Sequence, residues 1–140
     1  MRTTRATVLL AGLALAASGC GSSTDDVKSA VNGYLKAFVN GDGQRACSLM
    51  TSTTRQQFVA RVSSIVHTSD CAKAISALRQ RAGSQVAAAL REAKVTKVKV
   101  AGDTAVATLT TKTSIGTSTS TTLLQKEGGS WKITSAPGTQ

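Results

Sequence analysis

A chain of 140 residues that is 41% apolar and 3% aromatic has material for one domain with one core, packed from small side chains. Its 17 Lys and Arg against 7 Asp and Glu give a net charge of +10, which favours anionic surfaces as neighbours. The scarcity of aromatics excludes a large aromatic ligand cage, and the absence of a basic run interleaved with aromatics argues against nucleic acid as partner.

The first 19 residues have the three parts of an export signal: Arg2 and Arg5, an apolar centre over 8–17, and small residues ending at Gly19. The apolar centre is much shorter than the roughly 20 residues that span a bilayer. Cys20 follows the small residues directly, as in a bacterial lipoprotein signal, and offers a thiol for diacylglycerol transfer. The expectation is a signal peptide over 1–19, a lipidated Cys20 with a short tether through 24, and a domain over 25–140. That chain would sit on the extracytoplasmic face of the cell membrane. The alternative is an ordinary secretory signal with an incidental cysteine. Loss of Arg2 and Arg5 leaves 15 basic residues against 7 acidic ones, a net of +8. A solvated basic surface facing anionic lipid head groups or wall polymers is the reading preferred.

Assigning Cys20 to lipid leaves Cys47 and Cys71, of three cysteines, as a pair. In an oxidising compartment a disulfide is expected. A zinc site or a catalytic thiol are the alternatives, and they lack companions, because His67 is the single histidine and there is no C-x-x-C.

In chain order, Gly21-Ser22-Ser23-Thr24 reads as tether, and Asp25 or Asp26 as the cap of a first helix. Its apolar stripe is Val27, Ala30, Val31, Tyr34, Leu35 and Phe38. Asn40-Gly41-Asp42-Gly43 stops that helix, and a short second one over 45–50 carries Cys47. Thr53-x-x-Gln56 predicts a capping box for a third helix with Phe58, Val59, Val62, Ile65 and Val66 inward. After a turn at 67–70, a fourth helix runs from Cys71 with Ile75, Leu78 and Ala82 on one face and a break at Gly83-Ser84.

From Val95 the pattern becomes extended. Strands are predicted over 95–100, 104–113, 117–126 and 130–135, with turns at Gly102-Asp103 and Glu127-Gly128-Gly129. Trp131 and Ile133 alternate inward against Lys132 and Thr134. The Ser/Thr-rich 113–122 stretch reads as polar strand ends about a loop at Gly116, or as acceptor for O-linked sugar. Helices first and a meander afterwards define an α+β domain, with helices on one face of an antiparallel sheet of about four strands.

Three segments carry a family resemblance: Val31-Asn-Gly-Tyr-Leu-Lys-Ala-Phe38 with Asn40-Gly41-Asp42, the 98–106 segment around Gly102-Asp103, and the 124–133 segment around Trp131. Together they resemble the nuclear transport factor 2-like superfamily, in particular small lipoproteins of actinobacterial type. The resemblance implies a cone, in which a curved sheet is wrapped by the long first helix with a pocket between them; some members use the pocket as an enzyme site and many are non-catalytic binding or assembly modules. Tyr34, Phe38 and Trp131 are the candidate pocket residues.

Enzymes on this cone place an Asp, or an Asp and His, on strand positions facing the pocket, because proton abstraction needs a base of tuned pKa in a dry cavity. Here Asp25, Asp26 and Asp70 read as caps, Asp42 and Asp103 as turn residues, and Glu127 sits beside a turn, leaving Glu92 without an evident task. His67 closes the third helix. No catalytic residue, cofactor or metal is assigned. The reading is a non-enzymatic, membrane-anchored domain for a small apolar ligand or an envelope protein. Two alternatives stand beside it: a pocket enzyme of isomerase or dehydratase type using Tyr34 with His67 or Glu92, and an assembly factor that forms a homodimer through its open sheet face.

Overall fold

The computed structural model describes residues 23–135. The expected signal over 1–19, Cys20 and the start of the tether lie outside the described residues. Four helices come first, α1 (Ser23–Asn40), α2 (Gly43–Ser48), α3 (Ser52–Val66) and α4 (Cys71–Glu92). Four strands follow, β1 (Lys94–Ala101), β2 (Thr104–Thr113), β3 (Gly116–Glu127) and β4 (Ser130–Ser135), as an antiparallel meander in the order β1-β2-β3-β4. The expected α+β architecture is therefore observed.

The first helix begins at Ser23, so Ser23 and Thr24 belong to it and not to the tether, and Asp25 and Asp26 fall in its first turn and not at its cap. Carboxylates there still favour the positive end of the helix dipole. The expected stripe is buried from Val27 to Leu35, while Phe38 is half-buried. Ala37 and Val39 are buried as well, because α1 packs against α4 in addition to the sheet. Gly41 at φ 72° ends the helix: its N–H donates to the carbonyl of Phe38 and that of Asp42 to Ala37. This is a Schellman closure. Arg79 of α4 then donates from Nε to the Val39 carbonyl at 2.7 Å, bringing a cation to the negative end of α1.

The second helix runs over 43–48 and not 45–50, started by Asp42, whose Oδ1 accepts the Arg45 N–H at 3.0 Å. The third is capped by Thr51, not Thr53: Thr51 Oγ1 accepts the Thr54 N–H, and the Thr54 hydroxyl donates to the Thr134 carbonyl at 3.0 Å. None of the five apolar residues expected to face inward is fully buried, and Ile65 is 49% exposed. The helix lies at the margin of the domain, with α4 and β4 as its neighbours and Phe58 as its main contact with the core. Asp70 caps α4 through a 2.8 Å bond from the Lys73 N–H, and Gly83, at φ 74° and ψ 177°, interrupts that helix where a break was expected.

On the helix-facing side of the sheet lie Ala105, Ala107 and Leu109 of β2, Thr122 and Leu124 of β3, and Trp131 and Ile133 of β4. Register shifts at Val95/Lys97 and Leu123/Leu124 add twist and bend the sheet around α1. One sheet edge is closed by the α2–α3 connection: the Thr51 N–H donates to Ile133 O at 3.0 Å and the Ile133 N–H to Leu49 O at 2.7 Å. The other edge is β1.

Cys47 and Cys71 form a disulfide with a Cα–Cα distance of 6.2 Å, joining α2 to the first residue of α4. Beside it the two helices touch through their backbones. A Cβ on Gly43 would stand 2.0 Å from the carbonyl oxygen of Ala72, so that contact exists only because residue 43 has no side chain.

Candidate ligand-binding cleft

Of the three expected pocket residues, two pack on each other along α1 and the third lines a cleft at the β3–β4 hairpin. Tyr34 and Phe38, one turn apart on α1, pack ring to ring with centroids 6.5 Å apart and rings tilted by 32°. Burial raises the Tyr34 hydroxyl to a pKa of about 12, so the phenol stays protonated at any physiological pH. Trp131 lies toward the beginning of α1 and forms the floor of a cleft of about 380 Å³ with Asp26, Ser29 and Ala30 of α1, Lys126 of β3 and Ser130 of β4.

The hairpin between β3 and β4 builds this cleft. A two-residue turn at Gly128-Gly129 pairs Glu127 with Ser130 and Lys126 with Trp131, which sets the Lys126 ammonium 5.3 Å from the indole centroid. A cation at that distance is held by the ring quadrupole. Trp131 is 5% exposed, and its Nε1–H has no acceptor among the described residues. A buried donor left unpaired costs about 1–3 kcal/mol, and since solvent does not reach Nε1 the cleft must open locally before an acceptor can meet it. Asp26, Ser29 and Ser130 add a carboxylate and two hydroxyls at the rim.

The acids have mostly structural positions. Asp42 and Asp70 are helix caps, and Glu127 Oε2 accepts from the N–H of Ser52 at 3.3 Å at the start of α3. His67 is exposed at the left-handed end of α3, and Glu92 is exposed in the last turn of α4. Neither is hydrogen-bonded to Tyr34, and the pairing on which the pocket-enzyme alternative depends is not assembled. Among the described residues no group of three or more His, Cys, Asp or Glu is placed to hold a metal ion.

Trp131, one of the candidates from the sequence, lines this cleft, and Asp26, Ser29 and Lys126 were not among those candidates. The signal for Lys126 was present, since a two-residue turn at 128–129 makes residues 126 and 131 direct neighbours across the hairpin. Nothing local indicated that the first turns of α1 would lie over that hairpin.

Helices followed by a curved four-stranded antiparallel sheet, with α1 laid across its concave side, define a nuclear transport factor 2-like α+β domain. The chain belongs to the family described as "Putative lumazine-binding", whose model matches residues 22–136. Neither a curated relative nor a solved structure matches the chain. Among the described residues no helix is long and apolar enough to cross a membrane.

Proposed function

We propose that this protein is a lipid-anchored, extracytoplasmic binding module that holds a small ligand without transforming it, and that the ligand sits in the Trp131 cleft. The observation that carries the reading is the cleft lined by Trp131 with the Lys126 ammonium held 5.3 Å from the centre of its ring. An ammonium beside an aromatic ring calls for a compact ligand that presents a carbonyl or anionic oxygen and a flat face. The rim of Asp26, Ser29 and Ser130 makes the cleft more polar than a purely apolar ligand requires. Lumazine, for which the family is named, is a flat pteridine dione with carbonyl acceptors and matches this chemistry. A volume of about 380 Å³ suits one such ring system. Location is supported by the Arg2-to-Cys20 tract and by the disulfide, which belongs to an oxidising compartment.

Trp131 is the single tryptophan of the chain, so its emission reports the cleft directly. Titration with lumazine is expected to change that emission saturably, and Lys126→Ala is expected to weaken binding by about tenfold, the loss of one charge-assisted contact. A titration without saturation, confirmed by calorimetry, refutes the ligand assignment. The anchor is tested separately: after a high-salt wash, wild-type protein is expected to stay in the membrane fraction. Cys20→Ser is expected either to leave the membrane or to remain uncleaved and without lipid label, and equal retention of both with no lipid label on the wild type removes the lipid anchor.

A further inference from the structure

We infer that the solvent-facing side of the sheet docks on an anionic lipid bilayer. The strand register lays out this face row by row. Lys99 lies opposite Val106 and Val106 opposite Leu123; Lys97 pairs with Thr108 and Thr108 with Thr121; Lys94 pairs with Thr110, and Lys112 with Thr117. At the other side of the sheet Lys132 pairs with Gln125. The face thus carries Lys94, Lys97, Lys99 and Lys112, with threonines and the Val106–Leu123 pair between them, while the Lys132 ammonium is engaged by the Ser48 carbonyl of α2. Asp103 lies at the β1–β2 turn, and Glu127, at the end of β3, shares the face by alternation but accepts from Ser52 at the start of α3, so the rows that hold the four lysines contain no carboxylate. At the opposite end the β2–β3 turn projects Ile115, 97% exposed, three residues from Lys112.

Charge decides the occupant. A second copy applied face to face would set four lysines against four with no carboxylate in the lysine rows, and like charges placed so are repulsive. An anionic bilayer reverses that sign: each lysine near such a surface contributes roughly a fivefold gain in affinity. An exposed isoleucine at a turn tip beside a lysine adds an apolar contact with the head-group region. The inference rests on the proposed membrane location, and it adds an electrostatic contact that lays the tethered domain against the surface.

The test uses the chain from Gly21 onward, which keeps all eight elements and the disulfide and cannot be lipidated at Cys20. It is sedimented with phosphatidylcholine vesicles containing roughly a third phosphatidylglycerol, across a salt series. Binding is expected to weaken with salt and to be absent on pure phosphatidylcholine. The triple variant Lys97→Gln, Lys99→Gln, Lys112→Gln is expected to lose on the order of a hundredfold in affinity. Arg55→Gln, Arg61→Gln, Lys73→Gln removes equal charge from exposed positions on the helices and is expected to stay within about threefold of wild type. No binding to the anionic vesicles overturns the inference, as does equal loss in the two triple variants. A dimer in sedimentation velocity that the face variant dissociates also overturns it, in favour of a second copy. All these outcomes leave the Cys20 anchor untouched, because the protein tested has no Cys20.

Discussion

Gly43 and Ala72 are in backbone contact: a Cβ built on the glycine stands 2.0 Å from the alanine's carbonyl oxygen and 2.6 Å from its carbonyl carbon. The neighbour is main chain at the start of α4, next to the disulfide, and it has no flexible end that can move aside. Gly43→Ala is therefore expected to cost about 3 kcal/mol in urea unfolding. Gly33 is the contrast, since its added Cβ meets only the terminal Cδ1 of Leu49 at 3.3 Å within a long helix. Gly33→Ala is expected to gain about 0.5 kcal/mol from helix propensity.

The same corner is held covalently. Closing the segment between Cys47 and Cys71, which are 24 positions apart, restricts the unfolded chain by roughly 3.5 kcal/mol in the chain-entropy account. The double variant Cys47→Ala, Cys71→Ala is expected to lose about that much against denaturant. Reduced wild-type protein is expected to match it. A loss below about 1 kcal/mol would show that the α2–α4 contact holds its form without the cross-link.

Alkaline stability isolates Tyr34. Its pKa is 10.0 in the unfolded chain and about 12 when folded, raised by desolvation. Below pH 10 both states keep the proton and the group is neutral to stability. From pH 10 to 12 the unfolded chain releases its proton while the folded one retains it, so stability falls across that window by about 2–3 kcal/mol. Tyr34→Phe is expected to flatten this part of the pH–stability curve relative to wild type, the lysine titrations being common to both. Curves of equal slope would place the phenol in water.

Thr122 is wholly buried on the helix-facing side of β3, and its Oγ1 has no hydrogen-bond partner among the described residues. Replacing it with valine keeps the shape and removes the unpaired hydroxyl. Thr122→Val is expected to raise the melting temperature, by an increment corresponding to about 1 kcal/mol. A decrease would mean that the hydroxyl is satisfied in solution.

The strand half of this fold was readable because each signal is local. Turns at Gly102-Asp103 and Gly128-Gly129 fix which residues face one another, and alternation then sends Trp131 and Ile133 inward. Helix caps were readable only where no distant partner intervenes. Asp70 caps α4 as expected, whereas Thr51 prevails over Thr53 because Thr54 reaches the Thr134 carbonyl and Ser52 reaches Glu127, contacts across some 75 to 80 positions of chain. Burial of α3 was over-read for a related reason: periodicity reveals that a helix has an apolar face but not how much partner surface that face will find. The cleft divides in the same way. The inward direction of Trp131 follows from alternation and its pairing with Lys126 from the turn, but the placement of Asp26 and Ser29 depends on how α1 lies across the sheet.

The two edges of the sheet are unlike, and this governs how molecules can stack. The α2–α3 connection occupies the Ile133 side of β4, so one end of the strand array is already taken by the protein's own backbone. Only β1 remains, and Lys94, Lys97 and Lys99 along it discourage another strand from adding. Growth of a fibre by repeated strand addition needs two receptive sides on every unit, and this domain presents at most one. Pairing through β1 therefore ends at two molecules, and an open-ended array of this domain cannot form by that route.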